Sequence, residues 1–179
     1  MRSSLWVAAL LTGLLGAPAL GQTAASTMSS GTAPIGDAAF VKKATVSDMY
    51  EIGAGHIAET KATSADVKTF ANRMIADHTK SSDTLKAILS KKGHTVAPPP
   101  LDAKHKAMLN NLRGASAQDF DSLYAQQQIQ AHQEAVMLFT SEQQSGTDPD
   151  IKNFAAQTLP VIQQHLSMAE QLAKGGGVH

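Results

Sequence analysis

The 179-residue chain contains no cysteine. Disulfides are therefore excluded, as are a membrane anchor through an acylated cysteine and haem attachment through Cys-x-x-Cys-His. Aromatic residues are scarce, 4 % against 42 % for all apolar residues, and the apolar fraction leans on alanine. Such a composition favours helices over strands and implies helices packed close together. Charge of one sign is also lacking. Fifteen basic residues face fifteen acidic ones, so there is no net field to draw in nucleic acid or an anionic membrane. Residues 5–15 are almost wholly apolar, but that stretch is well short of the ~20 residues an integral span needs. No nucleophile motif, P-loop or dinucleotide fingerprint occurs, which argues against an ordinary hydrolase or kinase. No segment alternates with the period of a strand.

What is present begins with a basic Met1-Arg2, the short apolar run, and small residues at Ala17-Pro18-Ala19 and Ala19-Leu20-Gly21. This is the layout of a cleaved signal peptide over residues 1–21, which predicts a periplasmic or secreted protein. Residues 22–36 are mostly Ser, Thr, Ala and Gly, with nothing to bury, and read as a flexible spacer. A helical domain is expected over 37–174, followed by a disordered tail at 175–179.

Within the domain the punctuation is regular. Asp37 is the expected N-cap of a helix reaching about residue 62, and Ser64 caps a second that runs to about 92, where Gly93 ends it. Three prolines, Pro98-Pro99-Pro100, make a stiff connector, and residues 102–113 read as a short helix broken by Gly114. A third long helix starts near Ser116 and closes at Gly146. Asp148-Pro149 supplies the cap and first-turn proline of a fourth, which ends before Gly175-Gly176-Gly177. The expectation is an all-α, ferritin-like or up-and-down four-helix bundle with a short extra helix between the second and third long helices. The connection over 92–115 is long enough for either topology.

Helical wheels locate polar residues inside the apolar faces. Glu51 lies at the centre of the first face, among Phe40, Ala44, Ser47, Ala54 and Ala58. His78 lies within the second, with Asp77 at its edge, and His165 within the fourth, soon after Pro160. On the third helix His132 and Glu134 flank the face, with Asp121 and Gln128 on the His132 side. At 1.5 Å rise per residue, counted from the turns near Thr63 and Thr147, these residues stand near mid-height in either topology. A buried carboxylate must be paired, protonated or bound to metal. One glutamate and three imidazoles converging from four helices form a ligand set for a transition metal, zinc first, with iron, manganese or copper also accommodated. The alternative is a non-catalytic envelope-stress or protein-interaction module in which the same cluster is a structural polar network. His56 faces away from Glu51, His94 and His105 lie in the connector, and His179 follows the glycines. None of these four is a strong ligand candidate, and a protein partner is not identified by any motif.

Several spaced motifs occur together: Phe70-Ala-Asn-Arg-Met-Ile-Ala-Asp-His78, Phe120-Asp121 with Tyr124, His132 with Glu134, and Thr158-Leu159-Pro160 followed by His165-Leu166. With Glu51 they resemble the bacterial family called domain of unknown function 4142, over about residues 40–172. The resemblance implies an exported, ferritin-like bundle and marks Glu51, Asp77, His78, Asp121, His132 and His165, but it implies no activity. Ferritin-like di-iron proteins carry Glu-x-x-His pairs, and this sequence has none. That favours a mononuclear, histidine-rich site in which Glu51, His78, His132 and His165 bind metal while Asp77, Asp121 and Tyr124 orient the imidazoles from behind.

Overall fold

The structure, a computed structural model, describes residues 36–94 and 97–175. The expected signal peptide and all of the spacer except Gly36 lie outside the described residues, as does the tail beyond Gly175. Every regular element among the described residues is helical: α1 (Asp37–Lys61), α2 (Ala65–Lys91), α3 (Ala103–Gly114), α4 (Ala117–Ser145) and α5 (Pro149–Gly175).

Caps fix most of these boundaries. The Ser64 hydroxyl accepts from the Asp66 and Val67 amides, Asp102 from the His105 amide, and Ser116 from the Asp119 amide, each satisfying donors that a helix start leaves open. Gly93 adopts φ 77° just beyond α2, a left-handed conformation that costs glycine nothing. Asp37 behaves differently from expectation. Gly36 is the residue preceding α1, and the Asp37 carboxylate reaches across to the α4–α5 turn, accepting from Thr147 N, Thr147 Oγ1 and Asp148 N. That turn offers the carboxylate three donors at once.

Asp121 makes the matching contact at the opposite end. Its carboxylate accepts from Thr63 N, Thr63 Oγ1 and Ser64 N in the α1–α2 turn. These cross-links fix the topology. Lys92, at the end of α2, pairs with Asp148 and Asp150 at the start of α5, whereas Ser116 opens α4 at the Asp121 end. The chain between Lys92 and Ser116 therefore travels the length of the molecule, and α3 on that path packs against α1 and α4. The long helices neighbour one another as α1 with α2, α4 with α5, α1 with α4, and α2 with α5.

The core has two apolar halves. Phe70, Met74, Leu112, Phe120 and Tyr124 fill the half nearer Asp121, and Phe40, Leu85, Phe139, Ile151, Phe154 and Ile162 fill the other. Small residues set the helix spacing. A Cβ on Gly55 would lie 2.6 Å from Ile75 Cγ1, so α1 and α2 approach closely only because that side chain is missing. Inside α5, Pro160 has no amide hydrogen, and the Ala156 carbonyl loses its rung in the ladder.

Candidate metal centre

Between the two apolar halves lies a polar layer supplied by all four long helices. Asp48 and Glu51 come from α1, His78 from α2, Gln128 and His132 from α4, and His165 from α5, all of them buried. His78, His132 and His165 offer ring nitrogens that lie within 4.8 Å of one another. The ring centroids are 5.5–5.7 Å apart in each pairing.

Each ring is held through one nitrogen by an acceptor that cannot donate. His78 Nδ1–H donates to Asp48 Oδ1 at 2.8 Å, and Asp48 Oδ2 also accepts from Ser82. His165 Nε2–H donates to Asp77 Oδ2 at 2.8 Å. His132 Nδ1–H donates to the Gln128 carbonyl oxygen one turn earlier, also at 2.8 Å. Carboxylates and carbonyls only accept, so in the neutral rings these bonds choose the tautomer and leave the other nitrogen with a free lone pair. The nitrogens left over are His78 Nε2, His132 Nε2 and His165 Nδ1, and none of them has a partner.

Electrostatics follow from burial. It drives His132 down to about 3, helped by the nearby His78, and His165 down to about 4 against the opposing pull of Asp77. Both rings are therefore neutral near pH 7. Burial also works against a charged His78, but its bond to Asp48 and the surrounding Glu51 and Asp77 outweigh that and hold its pKa above the usual value. Partial burial would raise Asp77, yet bonds from His165 and Arg73 hold its carboxyl below the usual range. His132 and His165 are thus in the neutral state a metal requires, whereas a metal binding at His78 must displace the proton that Asp48 and its neighbours help to hold.

The other expected residues sit as follows. Glu51 is buried beside the trio, but its Oε1 is 3.8 Å from His132 Nδ1, the nitrogen already bound to Gln128, and it stands outside the three-nitrogen group. Its Oε2 has no partner, and burial first, then Asp48, push its pKa up to about 7. The wheel and the height placed Glu51 in the right layer but could not say which side of His132 it would face. Asp77 does stand behind an imidazole. Asp121 does not, because it is committed to the α1–α2 turn. Tyr124 lies about two turns before His132 on α4, packed against Phe70 and stacked on Phe120. Its hydroxyl is unpartnered and therefore orients no ring. Glu134 is on the surface, paired with Lys104. His56 pairs with Glu59 on the surface, and His105 leans on Tyr50 and bonds Asp102.

The sequence reading missed Asp48, the carboxylate that holds His78. Its place three residues before Glu51 puts the two on one helix face, which was the available signal. It also missed Glu142, a wholly buried carboxyl near the Asp37 turn, and the Tyr50–Gln127 hydrogen bond of 2.9 Å.

A profile of the family described as domain of unknown function (DUF4142) matches residues 19–172. The chain belongs to this family. Among curated proteins none matches it. Among solved structures, CopM in the Cu(II)-bound form is similar with TM-score 0.68 and 20 % identity, covering 79 % of this chain and 97 % of that one. CopM in the Cu(I)-bound form gives 0.67 and 20 %, covering 79 % and 98 %. A DUF305 fragment from Deinococcus radiodurans gives 0.69 and 14 %, covering 77 % and 95 %. At these identities the likeness establishes a shared all-helical fold.

Proposed function

We propose that the protein is an exported metal-binding module that binds or buffers one transition-metal ion through His78 Nε2, His132 Nε2 and His165 Nδ1, in a ferritin-like four-helix bundle of the crossover kind. One observation carries the reading: the three imidazoles of the polar layer each spend one nitrogen on a fixed acceptor and leave the other buried and unpartnered, in rings that bring ligand nitrogens within 4.8 Å of one another. An unsatisfied buried acceptor costs about 1–3 kcal/mol, and three together are hard to account for as packing alone. A cation shared among them removes that cost and supplies Lewis acidity at the centre of the core.

Asp48, Asp77 and the Gln128 carbonyl are the groups that hold the imidazoles at the angle binding needs, and the carboxylates raise ligand basicity. Glu51 is the nearby carboxyl that balances added positive charge. Zinc accepts three imidazoles and a fourth ligand in tetrahedral geometry. Copper is the stronger assignment, since Cu(II) heads the affinity order at any nitrogen site and the similar CopM structures are copper- and silver-bound forms. Export rests on the signal-like leader.

Metal-free full-length protein titrated with Cu(II) and Zn(II) is expected to bind one ion per chain, and a His78→Ala/His165→Ala variant with the same helical circular dichroism is expected to bind none. Equal binding by the variant would overturn the proposal.

A further inference from the structure

We propose that the ion enters and leaves the three-imidazole site through the seam between α2 and α5, by way of a small cavity beneath Val161. The route rests on the metal-binding reading. It is drawn from a cavity of about 20 Å³ abutting the layer, whose lining includes Asp48, Asp77, Ser81, Thr158, Val161 and His165. That volume accommodates about one water molecule or one small ion.

Four observations place the entrance here. First, α2 and α5 make the sparsest of the four side-by-side packings. Second, Val161 is one of two large apolar residues left exposed among the described residues, at 38 %, and it lines the cavity. Third, polar groups stand at the mouth of a cavity whose lining is otherwise mainly apolar. The Asp77 side chain is 33 % exposed, so it meets solvent while its Oδ2 touches His165 Nε2, and the buried Ser81 hydroxyl beside it has no partner. Fourth, α5 lacks one rung at Pro160, next to Val161, and a helix missing a rung bends there at low cost.

Apolar side chains flank the layer at its two ends. Phe70, Phe120 and Tyr124 cap the layer toward the Asp121 end, and Phe139 and Ile162 toward the other. Arg73 bridges the seam, donating to Asp77 Oδ2 on its own helix and to Gln164 on α5, so an ion passing Asp77 competes with this guanidinium for the carboxylate.

Val161→Trp adds bulk over the mouth and replaces neither a ligand nor any of the three rings' fixed partners. A plug in a path slows passage in both directions and leaves the end states alone. With Co(II) as probe, followed by its visible absorbance in stopped flow and by chelator chase, Val161→Trp should slow uptake and release about tenfold or more. The Kd should move by less than about threefold, since rates and affinity separate when only the path changes. Met137→Trp, at the other exposed apolar position, should leave both rates at wild-type values. Unchanged rates in Val161→Trp would overturn the route while leaving metal binding intact. Absence of saturable Co(II) binding in the wild type, or its persistence in His78→Ala/His165→Ala, would overturn the metal-binding reading and the route with it.

Discussion

Replacing His132 with leucine separates the cost of the site from its use. His132 is the ring whose fixed partner is a backbone carbonyl, so its removal strands no buried charge. In the metal-free protein the change deletes an unpartnered Nε2, a gain of about 1–3 kcal/mol, against an imperfect fit of about 1.5 kcal/mol or less for a substitution of similar volume. The metal-free variant should thus be as stable as the wild type or more so. With metal the order reverses. An ion at about 100 times its Kd adds ~2.7 kcal/mol to a protein that binds it only when folded, roughly 10 °C of Tm for a domain of this size. The variant, with two imidazoles left, should show little of that rise. Differential scanning calorimetry with chelator and with Cu(II) or Zn(II) reads all four states. A metal-free His132→Leu protein destabilised by more than about 2 kcal/mol, beside a wild type whose Tm ignores both metal and chelator, would refute the reasoning and make the polar layer a purely structural network.

Two further outcomes are expected. Asp37→Ala and Asp121→Ala each remove a carboxylate that accepts three hydrogen bonds from an interhelical turn; urea titration should show a loss of about 1–2 kcal/mol for each, with metal affinity unchanged in Asp121→Ala. The metal-free protein should also lose stability on both sides of a mildly acidic maximum. Glu51 and Glu142 are raised by burial from 4.5 to about 7, so the stability they give is complete below 4.5 and is lost as pH rises through about 7. His132 and His165 are lowered from 6.5 to about 3 and about 4, so theirs is complete above 6.5 and is lost as pH falls through those values. Glu142→Gln should remove part of the alkaline decline in Tm; an unchanged profile would show that this carboxyl is ionised in the fold.

Glu51 and Asp121 show how far sequence reasoning reached. Both were placed on inward-facing or flanking positions of their helices, and both do contact other helices. Periodicity and rise give angle and height on one helix, and these brought Glu51 into the correct layer. They do not give the direction of a side chain's last bonds, so they could not tell that Glu51 Oε1 lies 3.8 Å from His132 Nδ1, the nitrogen bound to Gln128. Asp121 was assigned to the imidazoles because nothing in a wheel reveals that a turn on another pair of helices presents three donors to it.

The sequence alone determined the helical class, the cap at Ser64, helix starts near Asp102 and Ser116, and the inward faces carrying His78 and His165. Those properties depend on residues within one or two turns, where local hydrogen bonding and the helical period act. The tertiary structure decided that the connection from Lys92 to Ser116 runs the length of the molecule. It also decided that Asp48 holds His78 and that three particular nitrogens are left free. Each of these is a choice of partner between helices distant in the chain, made by packing and by the need to satisfy buried polar groups.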